Sequence, residues 1–122
     1  MQSKSAVLTG RLLEFAAGTI RLSSRLARTV PGRYVCSQLM RAACSTGANY
    51  QEACAAESRA DFVHKLQIVL KELRESSYWL QLVVKSSLMP EGDIAPLVRE
   101  LDELTRIIAK SVLTAKSGVK SI

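Results

Sequence analysis

SRADFVHKLQIVLKELRESSYWLQLVVK, residues 58–85, decides the fold. Phe62, Leu66, Val69, Leu73, Ser76, Leu80 and Val83 recur at alternating steps of four and three. That is the spacing of a bundle core seam, and no strand alternation interrupts it. Ser58 followed by Asp61 forms a capping box, with Asp in the Glu role, ahead of the apolar Phe62. Ile68 and Trp79 lie well off the seam at roughly 100° per residue. A second apolar patch of this kind predicts a further contact, most simply with a second subunit.

Working outward, two more breaks divide the chain. Pro31 and Gly32 in VPGR stop one helix, and Pro suits the first turn of the next. Pro90 and Gly92 in MPEGD form a turn, with Asp93 as the expected N-cap. Four helical segments result, at about 3–29, 33–55, 59–88 and 94–116, and the tail 117–122 is expected to fray. Short turns between long helices give antiparallel neighbours. The expected fold is therefore all-α, a single-domain up-down-up-down four-helix bundle over residues 1–122.

The bulk properties agree. The 122 residues suffice for one core, and 48% of them are hydrophobic, which excludes global disorder. No apolar run reaches the ~18 to 20 residues of a membrane span. Arg11 and Glu14 interrupt any signal-peptide core, so a cytoplasmic location away from membranes is expected. Cys36, Cys44 and Cys54 are odd in number and lack CxxC spacing. They are expected to be buried free thiols, with neither metal nor disulfide.

Charge is uneven. Residues 1–33 hold six basic residues against one acid, Glu14, and so carry +5 of the net +6. On the first helix, Leu8, Leu12, Phe15, Leu22 and Leu26 share an arc of roughly 80°. Lys4, Arg11, Arg21, Arg25 and Arg28 fall in an adjoining arc of roughly 120°. Five like charges on one side repel one another, so local stability does not account for them. They are candidate phosphate contacts for RNA or DNA, and equally a docking face for an acidic protein partner. No aromatic stacking platform and no nucleic-acid motif accompanies them.

The second helix carries Gln38, Arg41, Ser45, Asn49 and Glu52 within roughly 80°. Val35, Leu39, Ala43 and Tyr50 gather on a different side as core. Small residues from Ala42 to Ala48 let neighbouring helices come close, which obliges the polar stripe to find partners. Arg41 and Glu52 are too far apart to pair along one helix, so each must reach another helix, another subunit or a ligand. Catalysis finds little support. A di-iron bundle would need several core carboxylates and two Glu-x-x-His motifs, whereas the chain has one Asp-x-x-His, Asp61 to His64. Ser45 or Cys44 as nucleophile would have His64 as the only imidazole base. No enzymatic activity and no cofactor are expected.

These motifs carry a resemblance. Gln38, Arg41, Ala42, Ala43, Ser45, Asn49 and Glu52 in order, then Ser58, Arg59, Asp61, Phe62, Lys71, Glu72, Tyr78, Trp79 and Leu80, resemble the bacterial four-helix-bundle family also called the ribosomal-RNA intervening-sequence protein family. The likeness covers roughly residues 15 to 115. It departs at Tyr50-Gln51, where many members carry Ile-Ala, and at Ala53, where many carry Gly. The resemblance implies an antiparallel bundle assembling into a ring-like homopentamer without established enzymatic activity. It further implies a relationship to the accessory protein of diversity-generating retroelements, a basic pentameric barrel that binds nucleic acid and a reverse transcriptase. On this view the stripe of the second helix, with Glu72 and Trp79, forms a polar network within or between subunits.

Overall fold

The computed structural model describes residues 2–118. Four helices follow one another: α1 Lys4–Leu26, α2 Val30–Cys54, α3 Arg59–Lys85 and α4 Glu91–Lys116. Each packs on the next, and α1 meets α4 to close the bundle. Long-range ion pairs fix the directions. Arg11 meets Glu100 while Arg25 meets Asp93, so α1 and α4 run antiparallel. Arg41 meets Glu72 while Glu52 meets Lys65, so α2 and α3 do too. Of the expected seam on α3, six positions from Leu66 to Val83 are buried and Phe62 is half-buried. Val35, Leu39, Ala43 and Tyr50 are buried as core on α2.

Four boundaries differ from expectation by three residues, the first being the end of α3, at Lys85 and not at 88. α1 ends at Leu26, and residues 27–29 form the turn, so Arg28 does not lie on the helix. α2 starts at Val30, because Thr29 is its N-cap and accepts from the Gly32 N–H at 3.0 Å. Pro31 thus sits in the first turn of α2, as expected of it, and the break lies just before it, at residues 27–29. α4 starts at Glu91, with Pro90 at the N-cap position, which moves Asp93 into the first turn. Ser117 and Gly118 form a turn, and the rest of the expected frayed tail, 119–122, lies outside the described residues. The Ser58 cap matches, with its hydroxyl accepting from the Asp61 N–H at 3.1 Å.

α3 ends in a Schellman turn: the Leu88 N–H reaches the Val83 carbonyl and the Ser87 N–H reaches that of Val84. Ser87 takes φ 59°, a left-handed conformation usually filled by Gly. In the core, hydroxyls sit among the apolar residues. Thr19, Thr46 and Ser76 are fully buried, and each donates to a carbonyl of its own helix: Ala16, Ala43 and Glu72 respectively. No cross-helix polar partner is needed, so the helices can approach through these small side chains.

Candidate functional site: a polar seam and a basic corner

The α2 stripe meets α3 inside one chain. Arg41 Nη1 donates to Glu72 Oε2 at 3.4 Å, and Arg41 also pairs with Glu75. Glu75 accepts from Trp79 Nε1 at 3.1 Å. Lys65 Nζ donates to Glu52 Oε1 at 2.8 Å. Arg41 and Glu52 thus both find their partners on the neighbouring helix. Ser45 and Asn49 bond back to α2 itself, at the carbonyls of Ala42 and Ser45. Gln38 is half-buried beside them. Glu72 is 9% exposed, and Arg41 supplies the charge that permits a carboxylate there.

Trp79 is half-buried and packs edge-on against Tyr34 of α2, 5.9 Å between centroids, and against Tyr78, 5.0 Å. Tyr34 and Tyr78 are themselves exposed, so the fold assembles an aromatic cluster that linear spacing does not reveal.

The indole hydrogen bond, followed by the Arg41 guanidinium, holds the Glu75 carboxyl below the usual carboxylate range. A group whose folded pKa is depressed contributes stability above its unfolded value, about 4.3 for Glu, and loses it as pH falls through the folded value. Trp79 is the only tryptophan. Its fluorescence should therefore change on acidification below the ordinary Glu range. Glu75→Gln should remove that change, its spectrum at neutral pH already resembling that of the acidified wild type. An identical acid titration in the variant would refute the assignment.

The basic side of α1 divides into three parts. Arg11 is turned onto α4, where Nε donates to Glu100 Oε2 at 2.9 Å, Nη2 to Oε1 at 2.7 Å, and Glu103 lies at 3.1 Å. The bidentate bond to Glu100 raises its already high pKa, and the residue acts as an interhelical clamp. Lys4 is exposed at the far end of the helix, roughly 25 Å of axial rise from Arg21. Arg21 and Arg25 lie in the last two turns of α1, Arg28 in the α1–α2 turn, and the unanticipated Arg33 in the first turn of α2. Arg21 pairs with Glu14 and Arg25 with Asp93 at 2.6 Å, all four side chains being well exposed. Arg28 and Arg33 are exposed and make no ion pair among the described residues.

The cysteines correct a further expectation: Cys36 is buried, but Cys44 and Cys54 are exposed. Burial raises the Cys36 thiol pKa. His64 is exposed. Among the described residues no group of three or more His, Cys, Asp and Glu could hold a metal, and no helix is long and apolar enough to cross a membrane.

An all-helical, antiparallel four-helix bundle stapled by interhelical ion pairs is the class of protein these features define. Within that class the chain belongs to the 23S rRNA-intervening sequence protein family, whose model matches residues 11–110. It is also similar to a crystal structure from Bacteroides thetaiotaomicron VPI-5482, described as a protein with unknown function from the S23 ribosomal protein family. The two share 31% identity and a TM-score of 0.84, over 92% of this chain and 100% of the other. No curated protein matches the chain.

Proposed function

We propose that this protein is a non-enzymatic, self-assembling helical bundle whose basic corner binds the phosphates of RNA or DNA. By resemblance the assembly is a ring of five, like the basic barrel of the retroelement accessory protein. One observation carries the phosphate reading: Arg21, Arg25, Arg28 and Arg33, on the end of α1, the turn and the start of α2, are all exposed, with Glu14 and Asp93 as their carboxylate partners among the described residues. Exposed pairs of this kind are worth about 0–1 kcal/mol. Phosphate oxygens can therefore replace the carboxylates at little cost. Recognition of this kind positions the backbone and carries no base readout. A non-catalytic role fits Ser45, whose hydroxyl is committed to the Ala42 carbonyl, and His64, which stands exposed on α3.

The test is the affinity of the nuclease-treated protein for a labelled RNA hairpin and a DNA duplex across a salt series. Affinity should fall steeply with salt, at about −0.7 to −0.9 in log–log slope per phosphate contacted. Combined Arg21→Glu, Arg25→Glu and Arg28→Glu should weaken binding at low salt by at least an order of magnitude and flatten the slope by about 2 to 3. Arg33 stays in place in that variant. Wild-type binding that is absent at low salt, or unchanged in the triple variant, would overturn the proposal.

A further inference from the structure

The outward side of α3 carries a stripe of one sign of charge. Lys71, Arg74, Tyr78, Gln81 and Lys85 recur at steps of three and four, share an arc of about 80°, and are all exposed. No Asp or Glu falls in that arc between Lys71 and Lys85. A solvated helix face usually mixes opposite charges at such spacings. Here Lys71, Arg74 and Lys85 make no ion pair among the described residues. Glu75, four residues from Lys71, is turned to Arg41 and to the Trp79 indole. α3 and α1 do not pack together and lie diagonally across the bundle. The stripe is therefore a different surface from the basic side of α1.

The aromatic cluster supplies an independent argument. Tyr78 sits in the middle of the stripe, and its ring meets Trp79 at 78°. Tyr34 of α2 meets the same indole at 80°. Both tyrosines are more than half exposed, at 58% and 61%. Trp79 is held in turn by its Nε1–H bond to Glu75 at 3.1 Å. Two open rings are thus fixed against a third that is itself anchored. Rings ordered in advance lose little freedom when another flat ring stacks on them. The fold builds here the aromatic platform that linear spacing does not show.

We infer that this stripe, together with Tyr34, is a site for single-stranded nucleic acid. Unpaired bases stack on Tyr34 and Tyr78, and the phosphates run along Lys71, Arg74 and Lys85. The inference rests on the nucleic-acid reading of the proposed function and adds to it a second surface and a strand preference. Cations beside aromatic faces are the combination that holds a single strand. In a duplex the base faces are already stacked, and only an unpaired base has one to offer. An acidic peptide would satisfy the cations and leave the rings idle. An apolar partner would cover the rings and strand three cations without counter-charge. Lys71 to Lys85 spans about 21 Å of helix, room for several nucleotides on either side of Tyr78. Gln81 donates to Ser77 Oγ at 3.0 Å, so stacking and charge, not base-edge readout, carry the binding, and the site tolerates any sequence.

The test titrates the nuclease-treated protein with a labelled uridine oligomer, which has no secondary structure, and with an RNA duplex of equal length. Anisotropy reads affinity, and the emission of Trp79, the only tryptophan, reads stacking beside it. The single strand should quench Trp79. Tyr34→Ala/Tyr78→Ala should weaken strand binding by about tenfold or more and leave duplex binding as it was. Tyr34→Phe/Tyr78→Phe keeps both rings and should bind the strand as wild type does. Lys71→Gln/Arg74→Gln/Lys85→Gln should flatten the salt slope for the strand by about 2. All these positions are exposed, so each variant should keep wild-type helical content. The Arg21→Glu/Arg25→Glu/Arg28→Glu variant should still bind the strand with quenching of Trp79, which separates the two surfaces. No binding of strand or duplex at low salt would overturn this inference and the phosphate reading together. Binding that is lost in the α1 variant, with strand affinity and Trp79 emission indifferent to the changes at Tyr34, Tyr78 and the α3 cations, would leave the phosphate reading standing and overturn this one.

Discussion

Replacing Gly32 by alanine should cost the fold about 3 kcal/mol, at the upper end for overpacking. A Cβ at this position would lie 1.9 Å from the Leu26 carbonyl oxygen and 2.9 Å from Thr29 Oγ1. The first obstacle is backbone at the end of α1, which cannot swing aside as a long side chain would. The second is the N-cap hydroxyl that accepts from the Gly32 N–H. Relieving the clash means separating the end of α1 from the first turn of α2, and with it the capping bond. Small domains are stable by about 5–15 kcal/mol, so the loss is a large share of the whole. Urea unfolding should show a lower midpoint at an unchanged slope. Gly92→Ala is the matched control. It lies in the first turn of α4, where an added Cβ would meet nothing within 4 Å, and should be neutral or slightly stabilising. A Gly32→Ala midpoint equal to that of the control would show that the α1–α2 corner is not packed as described.

That corner also shows where linear reasoning fails. Pro31 and Gly32 read as a break, since both residues disfavour helix interiors. In fact they occupy the second and third positions of α2, where Pro loses nothing and Gly is demanded by Leu26. The true break, Ala27-Arg28-Thr29, contains neither Pro nor Gly, and only Thr29 as N-cap betrays it. The α3 seam was legible because its period is local to one helix. The need of Arg41 and Glu52 for partners was legible for the same reason. The identity of those partners was not, since Glu72 and Lys65 depend on the register of two helices. Arg11 is the sharpest case. Its helical angle places it among the basic residues, but Glu100, 89 positions away, turns it from a ligand candidate into a clamp. Helical angle places a side chain on an arc of its helix, whereas its partner depends on which helix packs against that arc.

The thinness of α2 leads to the second large effect. Ala42, Ala43 and Thr46 are all 0% exposed, and Thr46 spends its hydroxyl on the Ala43 carbonyl. α2 makes its most extensive contact with α3, where the fully buried Ser76 interrupts an otherwise aliphatic seam. Small side chains therefore set the close packing of the core, and the ion pairs of Arg41 and Glu52 depend on that closeness. Ala43→Leu inserts three carbons where no solvent reaches. It should cost about 2–3 kcal/mol, through off-rotamer packing or displaced helices. Displacement would also lengthen the bonds from Arg41 to Glu72 and Glu75, so the Trp79 fluorescence should shift even at neutral pH. Ala60→Leu, exposed in the first turn of α3, makes the same chemical change and should stay within about 0.5 kcal/mol of wild type. If Ala43→Leu unfolds at the wild-type urea midpoint with an unchanged Trp79 spectrum, the helices have slack at this level. The small residues of α2 would then need an explanation other than close packing.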